Sequence, residues 1–123
     1  MEVYLKSDIG LVRSSNQDAC KCGIFPDRSV WAVVCDGMGG ANGGNVASEV
    51  AVETVSGLLE KNYKETLTDD QTVDLLTSIV QKANSKLYKM QKKDASLRGM
   101  GTTIELALIR DGAAHIVHAG DSR

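Results

Sequence analysis

The sequence predicts an α+β fold built in layers, and three observations carry that prediction. Short β-branched runs bounded by turn residues lie in both the first and the last third of the chain. Two helical stripes follow one another between them, and Asp111-Gly112 joins the last two runs as a hairpin. Hairpin-linked strands beside consecutive helices argue against repeated βαβ units and for strands and helices in separate layers. The chain has 123 residues, 42% hydrophobic and 24% charged, with a formal net charge of −2. That composition fits one globular domain and argues against disorder. It predicts no electrostatic grip on nucleic acid or on a membrane surface.

The elements follow in order. Val3 to Ser7 alternates as a short strand, and a polar loop runs from Asp8 to Asp18 with Gly10 and Asn16 as turn residues. Ala19 to Phe25 is a second strand candidate, and Pro26-Asp27 turns the chain. Ser29 to Cys35 is apolar and β-branched after its first residue, which predicts a strand buried on both faces. Asp36 to Gly44 then holds five glycines in nine residues, a loop whose backbone can approach a neighbour closely. Ala47, Val50, Ala51, Thr54, Val55, Leu58 and Leu59 form one helical stripe. A second helix is expected from Asp69 or Asp70, either of which could cap it, with a stripe of Val73, Leu76, Val80, Ala83, Leu87 and Met90. Lys89, Lys92 and Lys93 near its end suit the helix dipole. Gly99-Met-Gly101 breaks the helix. Thr102 to Ile109 reads as a strand, and Ala114 to Ala119 returns after the hairpin.

The longest apolar run, Val30 to Cys35, is too short to cross a bilayer, and Met1 to Lys6 carries no signal-peptide core. Three cysteines, Cys20, Cys22 and Cys35, without such a segment predict reduced thiols and a cytoplasmic setting. Cys20 and Cys22 read as strand residues sharing one face. His115 and His118, three apart in a strand, point to opposite faces and do not form a metal pair.

Four segments place polar groups at strand ends or in glycine loops. They are Ser7 to Arg13 with Asn16-Gln-Asp18, Asp36-Gly-Met-Gly-Gly40, Gly99-Met-Gly-Thr-Thr103 and Gly120-Asp-Ser-Arg123. Asp36 ends an apolar strand, where a carboxylate is costly unless paired or bound to a cation. Hard divalent cations take oxygen ligands, and Asp36 with the Gly37 carbonyl could supply two from one turn. Taken alone, Asp36 fits a turn role equally well. Asp18, Asp121 and Arg13, each alone, are ordinary turn or surface residues.

In order, the four segments resemble the metal-dependent protein phosphatases, the type 2C family in its bacterial form. Asp8, Gly10, Arg13, Asn16 and Asp18 stand at the spacing of that family's opening motif. Asp36 to Gly40, with Gly44 and Ala47-Ser48, matches the second, and the two later segments match the third and fourth. The resemblance implies part of a four-layer αββα sandwich, an antiparallel β-sandwich flanked by helices, ending after the fifth strand. Residues 1–123 would be the N-terminal portion of a single catalytic domain. It implies that Asp36 bridges two Mn²⁺ or Mg²⁺ ions, that the Gly37 carbonyl binds one of them, and that Asp18 holds a metal through water. Asp121 would help bind a third ion. Arg13 would bind the substrate phosphate, for which a guanidinium fork is well shaped. The reaction implied is hydrolysis of phosphoserine or phosphothreonine in a phosphoprotein, by a metal-activated water attacking in line.

Two departures bear on that reading. Ala41 and Asn45 stand where bacterial members carry His and Glu. Loss of the His removes a candidate acid for the leaving group, a change that costs about 10²–10⁴ in rate where such an acid acts. The family's domain also continues past this chain, with two further metal-binding aspartates. The lone chain is therefore expected to bind metal weakly and to self-associate through uncovered sheet. A catalytically dead phosphatase-like domain that binds a partner stays open as the alternative. A dinucleotide loop fits poorly, because Gly37-Met-Gly39 is misspaced and two helices precede the next strand.

Overall fold

Period-two alternation along one strand sets the arrangement. In the computed structural model, which describes residues 18–39 and 43–119, β2 (Val30–Met38) is the central strand. It pairs antiparallel with β1 (Asp18–Ile24) on one side and with β4 (Ile104–Arg110) on the other. The short β3 (Gly101–Thr102) pairs with the end of β2, and β5 (Ala113–Ala119) pairs with β4. The expected strand at Val3 to Ser7 lies outside the described residues. Helices α1 (Gly43–Asn62) and α2 (Asp69–Lys93) follow one another between β2 and β3, as the α+β expectation requires.

Both helices lie on one face of the sheet. Trp31, Val33 and Cys35 point to that face with Leu106 and Leu108 of β4, and all five belong to one core with the helices. From α1 the core takes Ala47, Ala51, Val55 and Leu59, and from α2 Leu76, Ile79, Val80, Ala83 and Leu87. The expectation that Ser29 to Cys35 is buried on both faces is corrected: Val34, on the side away from the helices, is 45% exposed. A continuous apolar run records composition, not which layer covers each face. Ile24 and Ile116 also stand on that open side, 67% and 68% exposed. Among the described residues, no helix is long and apolar enough to cross a membrane.

Local chemistry explains the remaining boundaries. Thr68, not Asp69 or Asp70, caps α2. Its hydroxyl accepts the Gln71 N–H at 3.1 Å, and the Gln71 side chain accepts the Thr68 N–H at 2.9 Å. This reciprocal box satisfies two donors, while Asp69 and Asp70 occupy the first turn, where the dipole favours them. Val73, expected in the core, is 43% exposed, and Thr72 is buried in its place. Arg110 accounts for the exchange. Its guanidinium donates to Thr72 Oγ1 at 3.0 Å and to the Leu67 carbonyl at 2.8 Å, tying the start of α2 to the end of β4. The hairpin after β4 turns through Asp111 and Gly112, both at positive φ (51° and 77°), as a two-residue turn requires.

At the β1–β2 turn, Phe25 stacks on Tyr63 with ring centroids 4.3 Å apart. The Tyr63 hydroxyl donates to Asp27 Oδ2 at 2.8 Å, and Asp27 Oδ1 accepts the Ser29 N–H at 2.8 Å. Partial burial pushes the Asp27 carboxyl up. The bonds from Ser29 and Tyr63, with the Arg110 charge, outweigh it and hold the carboxyl below its usual range. Gly23 lies over the Trp31 indole, where an added Cβ would come within 2.6 Å of Nε1.

Two outcomes follow. Gly23→Ala forces the packed indole to move and should lower stability by about 1–3 kcal/mol, read from urea unfolding. Asp27, with a lowered folded-state pKa, contributes stability above its unfolded value of about 4 that is lost as pH falls through the folded value. Asp27→Asn should therefore flatten the fall of the urea midpoint below about pH 4 relative to the parent chain.

Candidate metal centre

The same alternation that buries Cys35 turns its neighbour outward. Asp36 is exposed on the open face of the sheet, near the end of β2, which runs on two residues further to Met38. Across the β1–β2 ladder the register places Asp18 directly opposite Asp36. Directly opposed residues in an antiparallel pair share a face, with Cβ atoms about 4.5–5.5 Å apart. Two carboxylates in that relation repel each other, and a cation shared between them removes the cost.

Gly39 and Gly43 both pack against Met100. Gly39 has φ +143°, and an added Cβ there would lie 3.1 Å from both Gly44 N and Met100 Cα. A Cβ on Gly43 would meet Met100 Cβ at 3.2 Å. Met100 is 4% exposed and so fills the space that these two glycines leave. Gly39, the start of α1 and Met100 before β3 are thereby packed together near Gly37, which pairs with Thr102.

Asp36 is fixed on its other side by Thr103. The Thr103 N–H donates to the Asp36 carbonyl at 3.0 Å, and the Asp36 N–H donates to Thr103 Oγ1 at 3.2 Å. The strand expected from Thr102 to Ile109 is accordingly split: β3 ends at Thr102 and β4 starts at Ile104.

Cys35, beside Asp36 in sequence, faces the core. Burial pushes its thiol up to about 12, partly offset by a hydrogen bond with Thr102. It stays protonated near neutral pH and is no nucleophile. Cys20 and Cys22 are free thiols on β1, at positions of like parity as expected.

Of the residues singled out from the sequence, Asp18, Asp36 and Gly37 come together here. Arg13 and Asp121 lie outside the described residues, as does Ala41. Among the described residues, no group of three or more His, Cys, Asp or Glu gathers around a point. The donors present are two carboxylates and a backbone carbonyl, all hard oxygens. They suit Mg²⁺, Mn²⁺ or Ca²⁺ and do not suit a thiolate- or imidazole-seeking metal. Met100 and Thr103, which pack against this end of β2, both come from the Gly99-to-Thr103 segment singled out in the sequence.

An antiparallel sheet backed by two helices, with two carboxylates opposed near one end of its central strand, defines an α+β domain. The family model described as protein phosphatase 2C matches residues 12–123, and the chain belongs to that family. It is 36% identical over 124 residues to a putative protein phosphatase 2C-type of Streptococcus pyogenes, covering 100% of this chain and 49% of that protein. It is 34% identical over 128 residues to the serine/threonine phosphatase stp of Listeria innocua, covering 100% of this chain and 48% of that protein. Among solved structures it resembles the Mycobacterium tuberculosis serine/threonine phosphatase PstP/Ppp, with TM-score 0.76 and 31% identity over 94% of this chain and 45% of that one. The serine/threonine phosphatase Stp1 of Staphylococcus aureus gives TM-score 0.81 and 28% identity over 94% of this chain and 45% of that one. The chain spans about half the length of the curated relatives it matches.

Proposed function

We propose that residues 1–123 form the N-terminal portion of the catalytic domain of a metal-dependent protein phosphatase acting on phosphoserine or phosphothreonine in protein substrates. The observation that carries the reading is the opposed pair Asp18 and Asp36 at the glycine-loop end of β2, in a chain of the protein phosphatase 2C family. The names of the Listeria and Mycobacterium relatives support the substrate class.

In this reading Asp36, the Gly37 carbonyl and Asp18 would hold the Mn²⁺ or Mg²⁺ ions. Bound there, such ions would lower the pKa of a water toward neutrality and so supply a nucleophile. Asp36 acts by fixing where that water stands, so an aspartate tied down at its backbone is better suited than one on a free loop. Arg13 holds the phosphate and offsets its charge, and Asp121 contributes to a third ion. Both are assigned on motif position. With Ala41 and Asn45 in place, the leaving group takes its proton from water, and turnover is correspondingly slow.

The open sheet face supports the view that this is one half of a sandwich. Ile24, Val34 and Ile116 leave an apolar surface of the kind a second layer covers. The isolated chain should therefore sediment as a dimer or larger species, and a monomer at micromolar concentration would count against the half-sandwich reading. The catalytic claim is tested by Mn²⁺-dependent release of phosphate from a phosphothreonine peptide, with the 123-residue chain and with a chain extended to its relatives' length. Asp36→Asn should lower turnover by at least about 10²-fold in whichever form is active. Equal turnover in parent and variant would remove Asp36 from the chemistry. Absence of turnover in both forms, with peptide binding retained, would favour a catalytically dead binding domain.

A further inference from the structure

The ladder between β2 and β4 departs from regular pairing at Asp36. From Val30↔Ile109 to Val34↔Glu105, and again at Gly37↔Thr102, β2 keeps one register with the chain opposite it. The same register sets Thr103 opposite Asp36. In a regular hydrogen-bonded pair each residue gives its N–H to the other's carbonyl. Thr103 does so, donating to the Asp36 carbonyl at 3.0 Å. The return bond runs from the Asp36 N–H to the Thr103 side-chain oxygen at 3.2 Å. The Thr103 carbonyl in turn accepts the Thr102 hydroxyl at 2.8 Å. The two threonine hydroxyls thus stand in for a lapsed ladder bond, and Thr103 belongs to neither flanking strand.

The lapse falls at Asp36, the carboxylate of β2 on which the site depends. The Cys35–Asp36 peptide carries the N–H that Thr103 Oγ1 accepts, so that hydroxyl fixes the peptide plane entering Asp36. The plane bears on the direction of the Asp36 Cα–Cβ bond. Beyond Asp36 the strand is held by its pairing with β3, Gly37 with Thr102 and Met38 with Gly101. We propose that Thr103 is a positioning residue for the cation site, acting through the Asp36 backbone, with Thr102 holding the carbonyl that Thr103 gives up. The proposal rests on the metal-centre reading above and adds to it the element that aims its ligand.

Three forms of the 123-residue chain test this: the parent, Thr103→Val and Thr103→Ser. Valine keeps the volume and loses the hydroxyl, and serine keeps the hydroxyl. One measurement is Mn²⁺ binding by calorimetry, far below the unfolding midpoint of each form. The other is hydrogen exchange of the Asp36 amide without metal. Thr103→Val should weaken Mn²⁺ binding about 10- to 100-fold, the range for removing a residue that orients a metal ligand. It should also speed Asp36 amide exchange, and Thr103→Ser should restore both to within about threefold of the parent. A role in stability alone would lower the valine form's unfolding midpoint and leave both readouts unchanged, which would overturn the proposal. If the parent binds no Mn²⁺, the metal reading fails. Amide exchange then decides: faster exchange in the valine form alone supports the backbone clamp, and equal exchange in all three overturns it.

Discussion

The parity of β2 is the constraint on which the rest depends. Because Trp31, Val33 and Cys35 must be buried under the helices, Ala32, Val34 and Asp36 must face the other way. A one-residue slip of β2 would turn three core side chains into solvent and drive the Asp36 carboxylate into a core containing Leu106 and Val55. The apolar core therefore fixes where the carboxylate points before any cation is considered. The β1 register then places Asp18 beside it. Position and partner of the central acid both follow from hydrophobic burial, which is stronger than any exposed ion pair.

The two ends of β2 are built differently. At its start, an aromatic and polar cluster locks the turn: Phe25 on Tyr63, Tyr63 on Asp27, and Arg110 against the carbonyls before α2. At its far end the contacts come from backbone and small residues, with Gly39 and Gly43 pressed on Met100 and Thr103 on Asp36. An added Cβ at either glycine would meet Met100 or neighbouring backbone, so this end is closed by close packing and not by large side chains.

Much of this was legible in the sequence because it follows from period and turn chemistry. The two helices, the Asp111-Gly112 hairpin and the strand leading to Asp36 were each signalled by a local pattern. The capping box was legible too, in Thr68-Asp-Asp-Gln71, although Asp69 and Asp70 beside it are equally good capping residue types. Other features had no local signal. Burial of β2 on one face depends on which layers the rest of the chain supplies. The place of Thr72 in the core depends on Arg110, 38 residues away. The exchange of a ladder carbonyl for the Thr103 hydroxyl depends on the register of two strands separated by both helices. For the site, Asp18, Asp36 and Gly37 were read from motif spacing, and their juxtaposition is a matter of register. Arg13 and Asp121 rest on motif position.

The central claim is that Asp18 and Asp36 together form a cation site at one end of the sheet. Titrating Mn²⁺ into the isotopically labelled chain and following its amide resonances tests this directly, because a paramagnetic ion broadens only the signals near it. Broadening should begin at Asp18, Asp36, Gly37 and Thr103 and leave the carboxylate-rich start of α2 sharp. Broadening that begins at Asp69 and Asp70, or that spreads evenly over the acidic surface, would contradict that claim.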